Sequence, residues 1–499
     1  MSKITLSMII KNEEKYLEDC LRSVENAVDE IVIVDTGSTD RSLEIAKRFN
    51  ANIFHFGWIN DFSAARNFAL QNSTGNWILY LDADERLTSA SIDIIKELTS
   101  ENKNLGINCV VNSIDEIGGT PSIMNYVRLF RNLEGVKFEG KVHEQIESSL
   151  RKQNCEIINS EIEIIHLGYN ISQDELKVKA KRNLDLLVHD YVHSPNGYKA
   201  FHIGQSLVTL NELENSLEYF LVAAEDINLE KNHRAHACRY LAAIYNDYKS
   251  LDGAKAYVER GLEISKDVIL LNLVASKVYL SLNEAEKADY HSRRAYELNS
   301  QYNSKENQTY FDILVDSIKL VLHGLNIGLY SNNAGLYNYF AGCDELSQLN
   351  ENQINIITFL GILLNQKPVD ENSLGLISET IKEYNSKVII NLLNSYKLEE
   401  DKHTVIKELY KYYKDDLDYL NYFGSFSIHI NDLRQAISAF AGILKINPGH
   451  KQAILQLINL YTQLNEFEKL KVVLDNAESV FADDTEIGQR ISAIKNRLS

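Results

Sequence analysis

Short apolar runs and amphipathic stretches alternate along residues 1 to about 170. Ile4–Ile10 reads as a strand, and Glu13–Val24 carries apolar residues at helical spacing. Glu30–Asp35 (EIVIVD) is a near-continuous apolar run, the pattern of a strand covered on both faces. The turn Thr36-Gly37-Ser38-Thr39-Asp40 follows, with Asp40 as the expected N-cap of a helix over Arg41–Phe49. Trp77–Leu81 is another buried strand, and it runs into Asp82-Ala83-Asp84-Glu85. This β-α-β-α order predicts a mainly parallel, doubly wound sheet, an architecture that binds ligands beyond the carboxyl ends of its strands. Asp35 and Asp82 both fall where a strand runs out. Leu176–Val192 has the spacing of an amphipathic helix joining this half to the next.

From about residue 196 the period changes. Ala254 and Ala288 lie 34 residues apart, each preceded nine residues earlier by a tyrosine, Tyr245 and Tyr279. Ala436 and Leu470 are again 34 apart, with Phe440 and Leu474 four residues on and Pro448 closing the first of that pair. Gly204, Ser216, Phe220 and Ala223 fit the same frame, as does Gly424 with Ala436 and Phe440. A helix-turn-helix period of this length with small residues at the crossings is the tetratricopeptide signature, although Ser216, Ser292 and Ile458 depart from its consensus. Between about 300 and 420 the helical periodicity continues without a clean repeat. The expected division is an α/β domain with its linking helix over 1–193, repeats over 194–300, an irregular helical segment over 301–420 and repeats over 421–499.

Composition narrows the classes. The 499 residues suit several domains, and four prolines fit a chain dominated by helices. With 51 basic against 70 acidic residues the net charge is −19, which argues against a broad nucleic-acid face. No run approaches the ~20 apolar residues of a membrane span. The apolar start at Ile4–Ile10 runs straight into Lys11-Asn12-Glu13-Glu14, unlike a secretory signal. Cys20, Cys109, Cys155, Cys238 and Cys343 are scattered and odd in number, the pattern of free thiols in a reducing compartment, so a cytoplasmic location is expected.

The strongest candidate chemistry is Asp82-Ala83-Asp84. Neighbouring carboxylates repel unless a cation neutralises them, and their hard oxygens suit Mg²⁺ or Mn²⁺, which in turn could hold a diphosphate. The competing reading is an acidic turn capping a helix announced by Thr88 and Ser89. Asp35, with Gly37 and Ser38, could accept from a nucleobase N–H or a ribose hydroxyl, or could belong to a plain strand-turn-helix connection. Asn12 and Glu13 end the first strand on the same edge, or begin a helix. Arg66, in Asn60–Asn67 (NDFSAARN), either meets a phosphate or packs at the surface. His166 closes the β run EIEIIH, as a third metal ligand or a core histidine. Glu144 beside His143 suits a general base screened by that imidazole. No GxGxxG, Walker, GxSxG or HExxH motif is present.

Taken in order, Ile9–Glu14 (IIKNEE), Val32–Asp40 (VIVDTGSTD), NDFSAARN, Trp77–Glu85 (WILYLDADE), Gly140–Glu144 (GKVHE) and His166–Tyr169 (HLGY) resemble the family 2 inverting glycosyltransferases. The likeness is to their bacterial branch with C-terminal tetratricopeptide-like repeats, which includes peptide and protein S- or O-glycosyltransferases. It implies an N-terminal GT-A domain, Rossmann-like with a mainly parallel sheet, followed by an all-α solenoid. It also implies a metal-dependent hexosyltransferase using a nucleotide sugar, usually a UDP-sugar, with Mg²⁺ or Mn²⁺. On this resemblance Asn12, Glu13, Asp35, Ser38, Arg66, Asn67 and Asp82 line the donor pocket. Asp82, Asp84 and His166 hold the metal, Asp84 also meets the sugar phosphate, and Glu144 deprotonates the acceptor, with Asp115 and Glu116 as alternative bases. Arg128 and Arg131 resemble the family's basic pair. The implied acceptor is a peptide or protein recruited by the repeats; a surface saccharide or glycolipid, or a retired transferase on a repeat scaffold, are the competing readings. No nucleic-acid partner is expected, and homodimer formation stays open.

Overall fold

The computed structural model describes residues 2–101, 103–113, 122–167, 173–303 and 314–498. Asp115 and Glu116, and Gly168 and Tyr169 of the HLGY run, lie outside these described residues. The chain divides into two compact units, Met1–Leu320 and Val321–Ser499.

The first unit begins with β1 (Ile4–Ile10), α1 (Leu17–Val24), β2 (Glu30–Asp35), α2 (Ser42–Arg48), β3 (Asn52–His55), α3 (Phe62–Gln71) and β4 (Trp77–Tyr80). There follow β5 (Glu85–Leu87), α4 (Ser89–Ser100), β6 (Leu105–Ser113), β7 (Ser122–Arg131), α5 (Glu147–Lys152) and β8 (Glu156–His166). All eight strands join one sheet in the order β3-β2-β1-β4-β7-β6-β8-β5. The strands β3, β2, β1 and β4 run parallel, because α1, α2 and α3 supply the crossovers that parallel strands need. Beyond β4 the sheet is mixed: β7 is antiparallel to β4 and β6, β8 is parallel to β6, and β5 is antiparallel to β8. Parallel pairing leads, as expected, and the antiparallel β7 is what carries the sheet past the acidic corner. Leu6, Val32, Ile33, Trp77, Ile78 and Leu79 are fully buried, so both faces of the central strands are covered.

A long helix, α6 (Gln173–His193), leads into three helix pairs. These are α7 (Gly197–Thr209) with α8 (Leu213–Glu225), α9 (Lys231–Asp247) with α10 (Leu251–Ile264), and α11 (Ile269–Ser281) with α12 (Ala285–Asn303). Where α7 and α8 cross, a Cβ added at Gly204 would come within 2.7 Å of the Phe220 ring, so only glycine admits that approach.

The second unit opens inside the helix Ser317–Tyr330 and is helical throughout its described length, ending with Thr485–Leu498. It reuses the same crossing. Gly424 faces Phe440, where an added Cβ would fall 2.8 Å from the ring, and Gly324 faces Phe340 in the same way. In all three cases the phenylalanine follows its glycine by sixteen residues. A second shared device closes the first helix of each pair. Lys249, Asn283, Asn332, Gln366, Asn431 and Asn465 adopt left-handed backbone, and the next N–H bonds back to a carbonyl five residues earlier, as in Asn333 N–H to Gly328 O and Asp432 N–H to Ser427 O, both 2.8 Å. Lys249 to Asn283, Asn332 to Gln366 and Asn431 to Asn465 are each 34 residues apart. One such interval, Asn332 to Gln366, falls within 301–420, where side-chain spacing alone gives no clean repeat. Among the described residues no helix is long and apolar enough to cross a membrane.

Candidate active site

The acidic triplet is a strand corner. The chain leaves β4 at Tyr80 and enters β5 at Glu85, while α4 starts only at Ser89, so Asp82 and Asp84 do not cap a helix. Glu85 ties the corner from within: its N–H donates to Asp82 O at 3.0 Å, and its Oε2 accepts from Asp82 N–H at 2.9 Å. The antiparallel register pairs Glu85 with His166, and Leu167 N–H donates to Asp84 O at 2.9 Å. This register sets His166 Nε2 3.3 Å from Asp84 Oδ2, while Ser113 at the end of β6 meets Nδ1 at 3.1 Å. Burial works against a charged imidazole, but Asp84, with Glu85 and Asp82 behind it, raises His166 above its ordinary value.

Arg66, on α3, lies across the corner. Its Nη2 donates to Asp82 Oδ1 at 2.7 Å and its Nε to Glu144 Oε1 at 2.5 Å, with the Arg66 side chain 8% exposed. Arg128, on β7, pairs with Glu85 at 2.5 Å and reaches to 4.0 Å from Asp82. Tyr80 lies between the two guanidiniums, 5.1 Å from Arg66 and 4.5 Å from Arg128. Burial would push Asp82 up, yet Arg66 and Arg128 hold it well below the usual carboxylate range. Glu85 goes the other way: burial raises it despite Arg128. Burial, then the charges of Asp84 and Asp82, push Glu13 up to about 7. Five carboxyl groups (Glu13, Asp82, Asp84, Glu85 and Glu144) thus share the corner with the Arg66 and Arg128 guanidiniums, and burial and mutual repulsion push Glu13 and Glu85 toward the neutral form.

Along the parallel edge, β1 and β2 end side by side, with Ile10 paired to Asp35. Asp35 is 4% exposed, accepting from Ser38 N–H at 2.9 Å and contacting His55 Nδ1 at 3.2 Å. Gly37 turns the chain away at φ 109°, a left-handed value that glycine adopts without strain. Asn12, also left-handed, accepts from Thr39 N–H at 2.8 Å, and its own N–H donates to Ser38 Oγ at 3.0 Å. Asp40 accepts from Ser42 N–H, the first residue of α2, and from Glu14 N–H, so it fastens the β1 loop to the helix start, while Arg41, one residue after the expected Asp40, is the N-cap.

Several sequence expectations change here. Asn67 spends its amide on Phe138, donating to its carbonyl at 2.9 Å and accepting from its N–H at 2.7 Å, and so it clamps the segment that leads to Glu144. Arg66 bridges Asp82 and Glu144. Asp82, though paired with Arg66, is the most exposed of the three expected metal ligands, at 39% against 22% for Asp84 and 19% for His166. Glu144 pairs with Arg66, and His143 stacks instead on His202 of α7, at 4.0 Å and 9°. The two basic residues of YVRLFR part company: Arg128 lies at the corner, while Arg131 pairs across with Trp77 at the far end of β4. Glu85, Tyr80 and Ser113 were not singled out in the sequence. Of these, Glu85 had a signal, since a third acid directly after DAD needs a partner to be buried.

Among the described residues no three His, Cys, Asp or Glu side chains are grouped to hold a metal ion. Asp84 and His166 nevertheless set one carboxylate and one imidazole 3.3 Å apart, and both are donor types that Mn²⁺ or Mg²⁺ accepts.

The acidic corner closes β4 of a mixed α/β sheet, at the strand ends where such folds bind ligands. The family model for glycosyl transferase family 2 matches residues 5–158. A TPR repeat-containing protein of Synechococcus elongatus is 30% identical over 278 residues, covering 54% of this chain and 68% of that one. The SPbeta prophage-derived glycosyltransferase SunS of Bacillus subtilis is 32% identical over 219 residues, covering 43% of this chain; the match spans 52% of SunS, about half its length. The chain belongs to glycosyl transferase family 2, with tetratricopeptide-like repeats following the catalytic fold. A crystal structure of S. aureus TarS 1-349 covers 62% of this chain and 93% of its own at 12% identity, with a TM-score of 0.29, too low to align the two part by part.

Proposed function

We propose that the chain transfers a sugar, with inversion, from a nucleotide-sugar donor (a UDP-sugar) to a peptide or protein acceptor. The observation that carries this reading is the single cleft in which Asp84 and His166 face each other, with Glu144 tied to the same corner through Arg66. Asp35 and Ser38 receive the nucleoside at the β1/β2 edge, where a buried carboxylate beside an exposed His55 can accept from a base or ribose. Asn12 and Glu13 line the same edge. Asp84 and His166 would hold a divalent ion, which when bound would neutralise charge developing on the departing diphosphate.

An acceptor O–H, S–H or N–H attacks the anomeric carbon from the face opposite the diphosphate. Glu144 takes the acceptor's proton, the new bond forms at the sugar carbon, and the carbon–oxygen bond to phosphate breaks with its electron pair leaving on the nucleoside diphosphate. Arg66 holds Asp82 and Glu144 at one spacing, so that acceptor and donor ends of the cleft stay in register. Residues 1–193 supply this chemistry, and the helix pairs after them offer the extended surface that suits a peptide better than a small sugar.

The test is UDP release from a panel of UDP-sugars with Mn²⁺ and peptides bearing Ser, Thr and Cys, followed by mass spectrometry of the peptides. The expected result is a sugar-sized mass gain that Asp84→Ala abolishes. Transfer to a saccharide acceptor alone would replace the peptide reading, and activity unchanged in Asp84→Ala would remove the site assignment.

A further inference from the structure

The loop that carries Glu144 is held from outside the sheet domain. Its base is closed by a reciprocal backbone pair, Glu139 N–H to Gln145 O and Gln145 N–H to Glu139 O, both 2.9 Å. Between these points Gly140 and His143 take left-handed backbone, φ 99° and 54°. For histidine that conformation is uphill and needs support from its surroundings.

Helix α7 provides that support. Tyr198 Oη donates to His143 O at 3.1 Å and accepts from Gln145 Nε2 at 2.6 Å, so one phenol grips the residues on either side of Glu144. The His143 carbonyl belongs to the peptide unit that leads into Glu144, and fixing it fixes the direction in which Glu144 leaves the backbone. The His143 ring lies flat on His202, one turn further along α7. Val142 is buried among Leu184 and Leu187 of α6 and Ile203 and Leu207 of α7. On the other side, Arg66 grips Glu144 through Oε1. The backbone is thus set by the first repeat-type helix and the side chain by α3.

We infer that Tyr198 and His202 are positioning residues for sugar transfer: the first helix after the linker completes the active site by aiming Glu144, in addition to any part the repeats take in acceptor recruitment. This rests on the reading of Glu144 as the base.

The experiment uses the full chain and two readouts. Hydrogen exchange of the 139–145 segment, with no substrate present, reports the loop itself. UDP release from UDP-glucose, UDP-galactose and UDP-N-acetylglucosamine with Mn²⁺ reports catalysis. Tyr198→Phe is expected to speed exchange at Glu139 and Gln145 and to lower kcat about tenfold, with donor KM and melting temperature unchanged. His202→Ala is expected to do the same, and His202→Phe, which keeps a flat ring, to restore most of the rate. Combined with Glu144→Gln, Tyr198→Phe is expected to cost nothing further, because both act through one carboxylate. Unchanged exchange and kcat in Tyr198→Phe overturn the positioning role while Glu144→Gln still tests the base. Faster exchange together with wild-type kcat in Glu144→Gln overturns the base assignment, and with it the claim that the loop matters to catalysis.

Discussion

The acidic cleft and the helix crossings solve opposite packing problems. At the cleft, five carboxyl groups are gathered around two guanidiniums, so its geometry is held by charge. At the crossings, a glycine admits a phenylalanine ring with nothing charged between them, so the geometry is held by volume. The difference teaches where each kind of substitution will register. Charge changes in the cleft should cost catalysis, and volume changes at the crossings should cost stability alone.

The sharpest challenge to that division is Arg66, which should affect both. Arg66→Met leaves the buried Glu144 without its partner and Asp82 with only the more distant Arg128, and destabilisation of about 3 kcal/mol is expected, together with loss of transfer. Chemical denaturation checks the first and UDP release the second; a stable, active Arg66→Met variant would mean the bridge is not what holds the corner.

Next in size is Gly424→Ala. The added methyl meets Phe440 at 2.8 Å, and overpacking of this kind costs about 1–3 kcal/mol. The melting temperature should fall while donor KM stays constant. If donor KM changed instead, the crossings would be part of the donor site and the comparison would fail.

The smallest effect is a pH dependence of stability away from the acidic corner. Burial, with the His143 and His233 charges adding to it, keeps His202 well below its ordinary 6.5. Burial and Lys287 take His291 down to about 4. Both groups bind a proton more readily unfolded than folded, so the unfolded state gains protons first as the solution is acidified. Stability should therefore be full above about pH 6.5 and decline below it, the His291 share being lost between 6.5 and about 4. His202→Phe should make that decline shallower in denaturant titrations at stepped pH. An identical slope in His202→Phe would show that His202 is not the group responsible.

How far the sequence could be read followed the distance over which each feature is specified. Asp35, Asp82, Asp84 and His166 are visible because each ends an apolar run, and a parallel sheet delivers such ends to one edge. Arg128 and Glu85 meet across 43 positions through an antiparallel strand, and only that register separates Arg128, at the corner, from Arg131, at the opposite end of β4. The grip of Tyr198 on His143 spans 55 positions and joins a loop to a helix of different period, so no local pattern announces it. The repeats were partly legible through their alanines. Their more regular markers, the Gly-to-Phe interval of sixteen and the left-handed turn residues at intervals of 34, were in the sequence, but only the backbone conformation gives them meaning.

The central claim is that the Asp84–His166 pair receives the donor's diphosphate together with a divalent ion. Calorimetric titration of UDP into the full chain, with and without Mn²⁺, tests it most directly when wild type is set beside Asp84→Asn. The account predicts binding that Mn²⁺ strengthens at least about tenfold in wild type, with that gain absent in a normally folded Asp84→Asn protein. Equal affinity with and without Mn²⁺, or an undiminished Mn²⁺ effect in Asp84→Asn, would contradict it.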